Sequence, residues 1–270
     1  MKSSKKVAIV TGAFGLLGRQ HVLALCELGY EVISVDNNVA RADEFIEFIS
    51  SELNAASVPQ FRICDLRNEI QICDLYKSIS HNYGRVDILI NNAFLNPPPS
   101  KSQINNRIED FNADSWLEEL EVGLTGAILM CKYAVPLMKI FGSGSIVNIA
   151  SDLSVIAPDQ RIYNGGTFPS SADSYVKPLS YSVIKTALHG LTRYLSTYLA
   201  PHKIRVNTLS PGGVFQDQDL DFVIRLENLI PLGRMAFPSE FRGAIKFLCS
   251  EDSQYMTGQN IVMDGGRSVW

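Results

Sequence analysis

The segment YSVIK places Tyr181 four residues before Lys185, and Ile184, Leu188, Leu191 and Leu195 carry it on with helical periodicity. That spacing sets a phenol and an ammonium one turn apart on one helix face. A phenol with a pKa of about 10 is a poor base at neutral pH, and a nearby ammonium lowers that pKa by favouring the phenolate. In a chain with this many tyrosines and lysines, chance alone supplies about 0.4 such pairs, so the spacing argues only in combination. A second constellation lies near the N-terminus. The run KKVAIVTG leads into AFGLLGRQHVLAL, putting Gly12, Gly15 and Gly18 at a strand-to-helix turn. Glycines there let the backbone approach a pyrophosphate, and a helix N-terminus presents unpaired N–H groups and the positive end of its dipole. Asp36 ends VISVD about twenty residues past the glycines, where a carboxylate accepts hydrogen bonds from an adenosine ribose and repels a 2′-phosphate. NAD is therefore expected over NADP. Arg19 and Arg41 are the residues that could serve a 2′-phosphate instead, and helix capping is the plain alternative for Asp36.

Positioning these groups requires alternating elements, and the chain has them. Apolar, β-branched runs (KKVAIVTG, YEVISVD, FRICD, VDILINNA, GSIVNIAS, IRVNTLS, GQNIVMDGG) are separated by helical patterns near 15–28, 40–53, 68–82, 113–140, 180–200 and 238–250. Continuous apolar strands spaced by amphipathic helices predict an α/β, doubly wound Rossmann-type fold with a parallel sheet covered on both faces. No repeat or linker divides the chain, so residues 1–270 are expected to form a single dinucleotide-binding domain. Loops near 95–110, 152–178 and 214–230 are expected as insertions around the substrate pocket. In the first of them, Pro97 to Pro99 forbid a helix.

Bulk properties narrow the class. Of the 270 residues, 46% are hydrophobic and 19% charged, and the net charge is -4, which leaves no general basic surface for nucleic acid. No apolar run approaches the roughly 20 residues of a membrane span. The run that follows the N-terminal lysines, about four residues, is too short for a secretory signal. Five cysteines, odd in number and without a C-x-x-C pair, fit buried thiols in a reducing cytoplasm, and four scattered histidines give no metal-ligand spacing.

The motifs occur together in a familiar order. TGAFGLLG, Asp65 in CDL, NNA at 91–93, GSIVNIAS at 144–151, YSVIK at 181–185, IRVNTLSPGG at 204–213 and TGQNIVMDGG at 257–266 make the chain resemble the short-chain dehydrogenase/reductase family over nearly its whole length. The resemblance implies a seven-stranded Rossmann sheet and a nicotinamide cofactor. It implies a cofactor path along Gly12, Phe14, Gly15, Leu16, Leu17 and Asp36, with Asp65 and Leu66 flanking the adenine. Asn92 and Ala93 then lie along the cofactor, and Pro211, Gly212, Gly213 and Val214 beside the nicotinamide. Ser151 matches the family's serine, which holds the substrate oxygen. Tyr181 matches its general acid/base, and Lys185 matches the lysine that binds the nicotinamide ribose and lowers the tyrosine pKa. The helices expected at 113–140 and 180–200 resemble the pair that joins subunits in a homodimer or homotetramer.

Four departures from the family pattern stand out. Leu16 occupies a usual glycine position of the turn. Gly123, in EVGLTGA, stands where many members carry an asparagine that helps relay protons. Gln216, after Val214 and Phe215, takes the place of a threonine that often contacts the cofactor carboxamide. Ser151 and Tyr181 are also further apart than usual, by the stretch APDQRIYNGGTFPSSADSYVKPLS. NIASDLSVIAPDQRIYNG, Gly123 and SPGGVFQDQ are similar to oxidoreductases described as flagellin modification proteins, which implies a sugar, sugar phosphate or nucleotide sugar of bacterial surface-glycan biosynthesis. Arg161 is suited to an anion and Tyr163, Asn164 and Lys177 to polar contacts, with Gln216 also expected at the substrate, while pairing of Arg161 with Asp159 or Asp173 is the bland alternative. Net hydride transfer to or from an alcohol carbon is the leading expectation. Transient NAD use in an epimerase or dehydratase, and a catalytically weakened nucleotide-binding regulator, are the alternatives.

Overall fold

The computed structural model describes residues 5–53, 59–95, 106–170 and 174–270. The apolar runs form β1 (Val7–Thr11), β2 (Glu31–Asp36), β3 (Gln60–Ile63), β4 (Ile88–Asn91), β5 (Gly144–Ile149), β6 (Ile204–Pro211) and β7 (Asn260–Met263). They make one seven-stranded sheet in the order β3-β2-β1-β4-β5-β6-β7, and every pairing is parallel. β1 and β4 are buried at every position, as strands covered on both faces must be. The chain leaves β1 for β2 on one side and returns to β4 on the other. The crevice at the carboxyl ends of β1 and β4 is therefore the switch point where ligands bind in open sheets.

The helices are α1 (Leu16–Glu27), α2 (Ala42–Glu52), α3 (Glu69–Asn82), α4 (Ala113–Leu120), α5 (Gly126–Phe141), α6 (Leu179–Leu199), α7 (Leu220–Glu227) and α8 (Arg242–Cys249). They cover both faces and divide the apolar interior into two clusters. One joins Ile9, Ile33 and Leu89 to Tyr76, Met130, Ala134 and Met138; the other joins Val10 and Ile90 to Phe14, Leu23, Phe45 and Phe241. Each such side chain contributes about 1.5–3 kcal/mol through burial. Local chemistry sets several helix ends. Asn68 caps α3 by accepting from the backbone N–H groups of Ile70 and Gln71, Asn112 caps α4 through Ser115, and Gly142 closes α5 at φ 62°.

The helix expected at 113–140 is continuous but not uniform: α4 passes through a π-helical turn, Glu121–Thr125, into α5. By length and composition this 29-residue run, Ala113–Phe141, matches what could cross a membrane. It nevertheless sends Met130, Cys131, Ala134, Leu137 and Met138 into the core beneath the sheet, as a core helix does. The pattern expected at 238–250 begins with a 3-10 turn, Pro238–Phe241, before α8. Of the three expected insertions, 152–178 and 214–230 dock on each other. Ile162 and Tyr163 pack with Phe222, Val223 and Leu226 of α7, and Arg225 Nε donates to Ile162 O at 2.7 Å. Pro97 to Pro99 and Asp173 lie outside the described residues.

Candidate active site

The glycine turn is held by a small polar knot. Thr11 Oγ1 accepts from the backbone N–H of Asn92 at 3.0 Å and of Ala93 at 3.1 Å, while Asn92 Nδ2 donates to Thr11 O and Gly12 O at 2.9 and 3.0 Å. Gly12 adopts φ 61°, and a Cβ there would stand 2.8 Å from Ala93 Cα. Only glycine satisfies both conditions. Gly15 begins α1, whose first turn carries neither a capping side chain nor a carboxylate, so Leu16, Leu17 and their neighbours leave a helix N-terminus suited to an anion. Asp36 accepts from Phe14 N–H and Asn38 N–H, both at 3.0 Å, which fixes the carboxylate at the end of β2. Gly12, Asp36, Asp65, Leu66, Ala93 and Phe94 line one groove. These residues could hold a dinucleotide, the open N-terminus of α1 suiting a pyrophosphate and the Asp36 carboxylate a ribose. Arg19 and Arg41 both pair with Glu44, at 2.7 and 3.4 Å. A roomier cleft of about 720 Å³ lies at the opposite, amino ends of the strands, beside Lys6, Tyr30, Asp87 and Lys203, away from every residue of this groove.

Ser151, just past the end of β5, and Tyr181 and Lys185, on the first two turns of α6, come together one strand away from the groove. Lys185 is 5% exposed and donates through Nζ to Ile149 O at 2.8 Å. Its ammonium is 6.0 Å from the centre of the Tyr181 ring. Burial, assisted by repulsion from Lys177, lowers the Lys185 pKa to about 7. Tyr181 departs from expectation: burial holds its hydroxyl above the ordinary phenol range, and a hydrogen bond with Ser151 only partly opposes this. The lysine points at a strand carbonyl rather than at the phenol, so desolvation outweighs the expected lowering.

Asp152, Arg267 and Phe94, neighbours of this trio, carry no signal in the spacing of the motifs. Ser151 Oγ donates to Asp152 Oδ1 at 2.9 Å, and Asp152 Oδ2 accepts from Arg267 Nη1 at 2.7 Å; both members of this ion pair are buried. Arg267 is 115 residues away and held by a turn in which Asp264 accepts from Gly266 N–H and Ser268 N–H. Phe94, just after NNA, meets Tyr181 edge-on at 5.3 Å and 89°, and Lys185 Nζ lies 4.7 Å from its ring centre. Phe94 also fills the space beside Gly123, where a Cβ would stand 2.6 Å from Phe94 Cδ2. An asparagine therefore has no room at this position unless Phe94 moves. Lys177 places Nζ 4.0 Å from the Tyr181 ring centre.

Pro211, Gly213 and Val214 continue β6 on the same sheet edge, and Val214 forms a parallel bridge with Ala236. Of the residues expected at the substrate, Tyr163 packs between Tyr175 and Phe222, with ring centres at 5.2 and 5.4 Å, and burial raises its pKa. Gln216 is exposed on the loop before α7. Arg161 is about half exposed and doubly bonded by Asp159, through Nε at 2.9 Å and Nη2 at 2.7 Å. That is the bland pairing anticipated for it. Among the described residues, no group of three or more His, Cys, Asp or Glu side chains could hold a metal ion.

Comparison with known proteins gives the family. Residues 6–165 match the short chain dehydrogenase family, and residues 169–268 match a family described as Enoyl-(Acyl carrier protein) reductase. The chain belongs to the short-chain dehydrogenase/reductase family. It is 31% identical over 269 residues to the trans-4-hydroxycyclohexanecarboxylate dehydrogenase of Sinomonas cyclohexanicum, covering 98% of this chain and 94% of the relative. It is 27% identical to the NAD-dependent glycerol dehydrogenase of Listeria innocua, covering 98% and 94%. A crystal structure of a short chain dehydrogenase from Leptospira borgpetersenii with bound NAD+ superposes with a TM-score of 0.81 at 30% identity, covering 99% of this chain and 94% of that one. The fold is thus one that binds NAD(P), and the chain is an oxidoreductase of the alcohol–ketone class.

Proposed function

We propose that this protein uses NAD to interconvert a secondary alcohol and a ketone on a small polyhydroxylated molecule: a sugar, a sugar phosphate or a nucleotide sugar. The observation that carries the reading is the junction of Ser151, Tyr181 and Lys185 beside the glycine cradle, all at the carboxyl edge of one sheet. Bound nicotinamide supplies the hydride acceptor or donor. Tyr181 takes the carbinol proton during oxidation and returns it during reduction. Ser151, fixed by Asp152, holds the substrate oxygen against the phenol. Lys185 binds the ribose from its buried position, and Phe94 keeps water from that side of the pair.

Support for NAD over NADP comes from Asp36 at the end of β2 and from the engagement of Arg19 and Arg41 by Glu44. Support for a sugar-like substrate comes from the enlarged segment between Ser151 and Tyr181, from the likeness of NIASDLSVIAPDQRIYNG and SPGGVFQDQ to surface-sugar oxidoreductases, and from the polyol relative. Exposed Ile128, Val183, Tyr194 and Tyr198 on α5 and α6 support assembly as a homodimer or homotetramer. The test is a screen of sugars, sugar phosphates and nucleotide sugars with NAD and NADH, followed through nicotinamide absorbance, with Tyr181→Phe alongside. The variant should lose nearly all turnover and keep NAD binding. Retained turnover refutes the role of Tyr181, and substrate conversion without net NADH points instead to transient redox chemistry.

A further inference from the structure

We propose that Asp152 is a positioning residue: fixed by Arg267, it holds the Ser151 hydroxyl proton, so that Ser151 meets Tyr181 and the substrate with a lone pair alone. The inference rests on the acid/base reading of Tyr181 above and adds to it how the phenol proton is kept until a substrate oxygen takes it.

A serine hydroxyl has one proton to give and two lone pairs to receive with. Ser151 Oγ donates to Asp152 Oδ1 at 2.9 Å and accepts from Leu153 N–H at 3.2 Å. One lone pair is left for the space shared by Tyr181 and the substrate oxygen. The rest of the residue is fixed. Its backbone is extended, at φ -162° and ψ 161°, and Ser151 O accepts from Ser154 Oγ, which His189 Nε2 meets at 2.7 Å. Only the hydroxyl proton has a choice of partner.

Asp152 takes that proton by charge and by position. Its Oδ1 also accepts from Leu153 N–H at 2.8 Å, and its Oδ2 accepts from Arg267 Nη1 at 2.7 Å. Arg267 is held in turn by the Asp264 carboxylate, which accepts from Gly266 N–H and Ser268 N–H on either side of it. Both members of the ion pair are buried. A guanidinium does not give up its proton, so the buried partner stays a carboxylate, which accepts hydrogen bonds and donates none. A hydroxyl bond to a carboxylate is charge-assisted and stronger than one to a neutral oxygen.

The consequence falls on Tyr181. A neutral phenol can donate to the remaining lone pair of Ser151, whereas a phenolate would need the proton that Asp152 holds. Burial is the larger cause of the raised Tyr181 pKa, and the Asp152 charge adds to it by repelling a phenolate. Tyr181 therefore rests in the form that can protonate a ketone oxygen as hydride reaches the carbon. Only after that transfer does a phenolate compete with Asp152 for the Ser151 hydrogen bond.

The Tyr181 phenolate can be read from ultraviolet difference spectra between each protein and its Tyr181→Phe counterpart, titrated with and without NAD. Asp152→Asn alone would strand the buried Arg267, so the two are exchanged together. Asp152→Asn with Arg267→Met should move half-titration of Tyr181 about one pH unit lower, which is about tenfold more phenolate at a given pH below the midpoint. Arg267→Lys keeps the carboxylate and should leave the titration close to that of the unmutated protein. The other groups facing the ring, Lys185 on α6, Lys177 before it and Tyr163 on the loop, are the same in every protein compared. Repeating the double exchange on a Ser151→Ala background decides the route: most of the shift should vanish there, because no serine proton remains to redirect. An unshifted double exchange, an equal shift without Ser151, or as large a shift with Arg267→Lys overturns the proposal. A Ser151-dependent shift in a protein that turns over no sugar, sugar phosphate or nucleotide sugar overturns the dehydrogenase reading and leaves the role of Asp152 standing.

Discussion

Substituting alanine for Gly123 tests the close approach on which the catalytic surroundings depend. In an ordinary helix interior, Gly→Ala stabilises by about 1 kcal/mol. Here the added Cβ would stand 2.6 and 2.7 Å from Phe94 Cδ2 and Cε2 and 2.9 Å from Ile184 Cγ2, well inside contact distance. Ile184 is fully buried next to Lys185, so Phe94 must give way. Overpacking of this kind costs about 1–3 kcal/mol, which leaves a net destabilisation of about 1 kcal/mol once the helix gain is subtracted. In a chain of this size, that corresponds to a fall in Tm of about 2–4 °C. Turnover should suffer more, about tenfold, because a displaced Phe94 loses its edge contact with Tyr181 and its place over Lys185. Phe94→Ala removes the obstruction. Adding Gly123→Ala to it should be neutral or stabilising, giving a coupling of about 1 kcal/mol or more across the double-mutant cycle. Thermal melts of the four proteins measure that coupling. If Gly123→Ala raises Tm whether or not Phe94 is present, the contact and the reasoning built on it are wrong.

Other expectations follow from the same geometry. Arg267→Met strands the buried Asp152 carboxylate and should cost about 3–5 kcal/mol in a denaturant titration, whereas adding Asp152→Asn should recover much of that loss. His21 is fully buried and its pKa is lowered by burial to about 3, so the unfolded chain binds more protons than the native one between about pH 6.5 and 3. Stability should accordingly fall as pH drops through that window, by on the order of 4 kcal/mol. His21→Leu should flatten this part of the curve of urea midpoint against pH. Asp36→Ala should bring the Kd values for NAD and NADP closer together by weakening NAD; equal affinities in the unmutated protein would already contradict the NAD preference.

Much of this molecule is legible in its sequence because parallel strands covered on both faces leave continuous apolar runs. VAIVT and ILIN are fully buried, and the helices between them follow the expected periodicity closely. The glycine turn and YSVIK are equally local, since a turn conformation and a helix face are properties of a few adjacent residues. What escaped notice is long-range or depends on side-chain rotamers. Nothing in the neighbourhood of Asp152 announces a partner 115 residues away at Arg267. Phe94 reads as an ordinary loop residue until Gly123 is brought against it. Arg161 and Lys177, both named in the loop by the sequence, end differently: Asp159, two residues away, pairs with the arginine, while the chain path carries the lysine to Tyr181. The π-helical turn is also invisible to periodicity, because EVGLT suits an α-helix as well.

That turn gives the segment between Asn112 and Gly142 a place where its length can change. A π-helical ring encloses one more residue than an α-helical one. Such a turn therefore takes up one extra residue with little net rotation, and deleting one residue of Glu121–Thr125 would let the segment close as uninterrupted α-helix with α4 and α5 nearly in phase. A deletion within α5 ahead of Met130 would instead swing Met130, Ala134 and Met138 out of the core stripe by about 100°. Loops elsewhere in the chain can lengthen or shorten at small cost. Within α4 and α5 a change of one residue is a change of phase, so the π-helical turn is where descendants of this sequence can lose a residue and keep the core stripe.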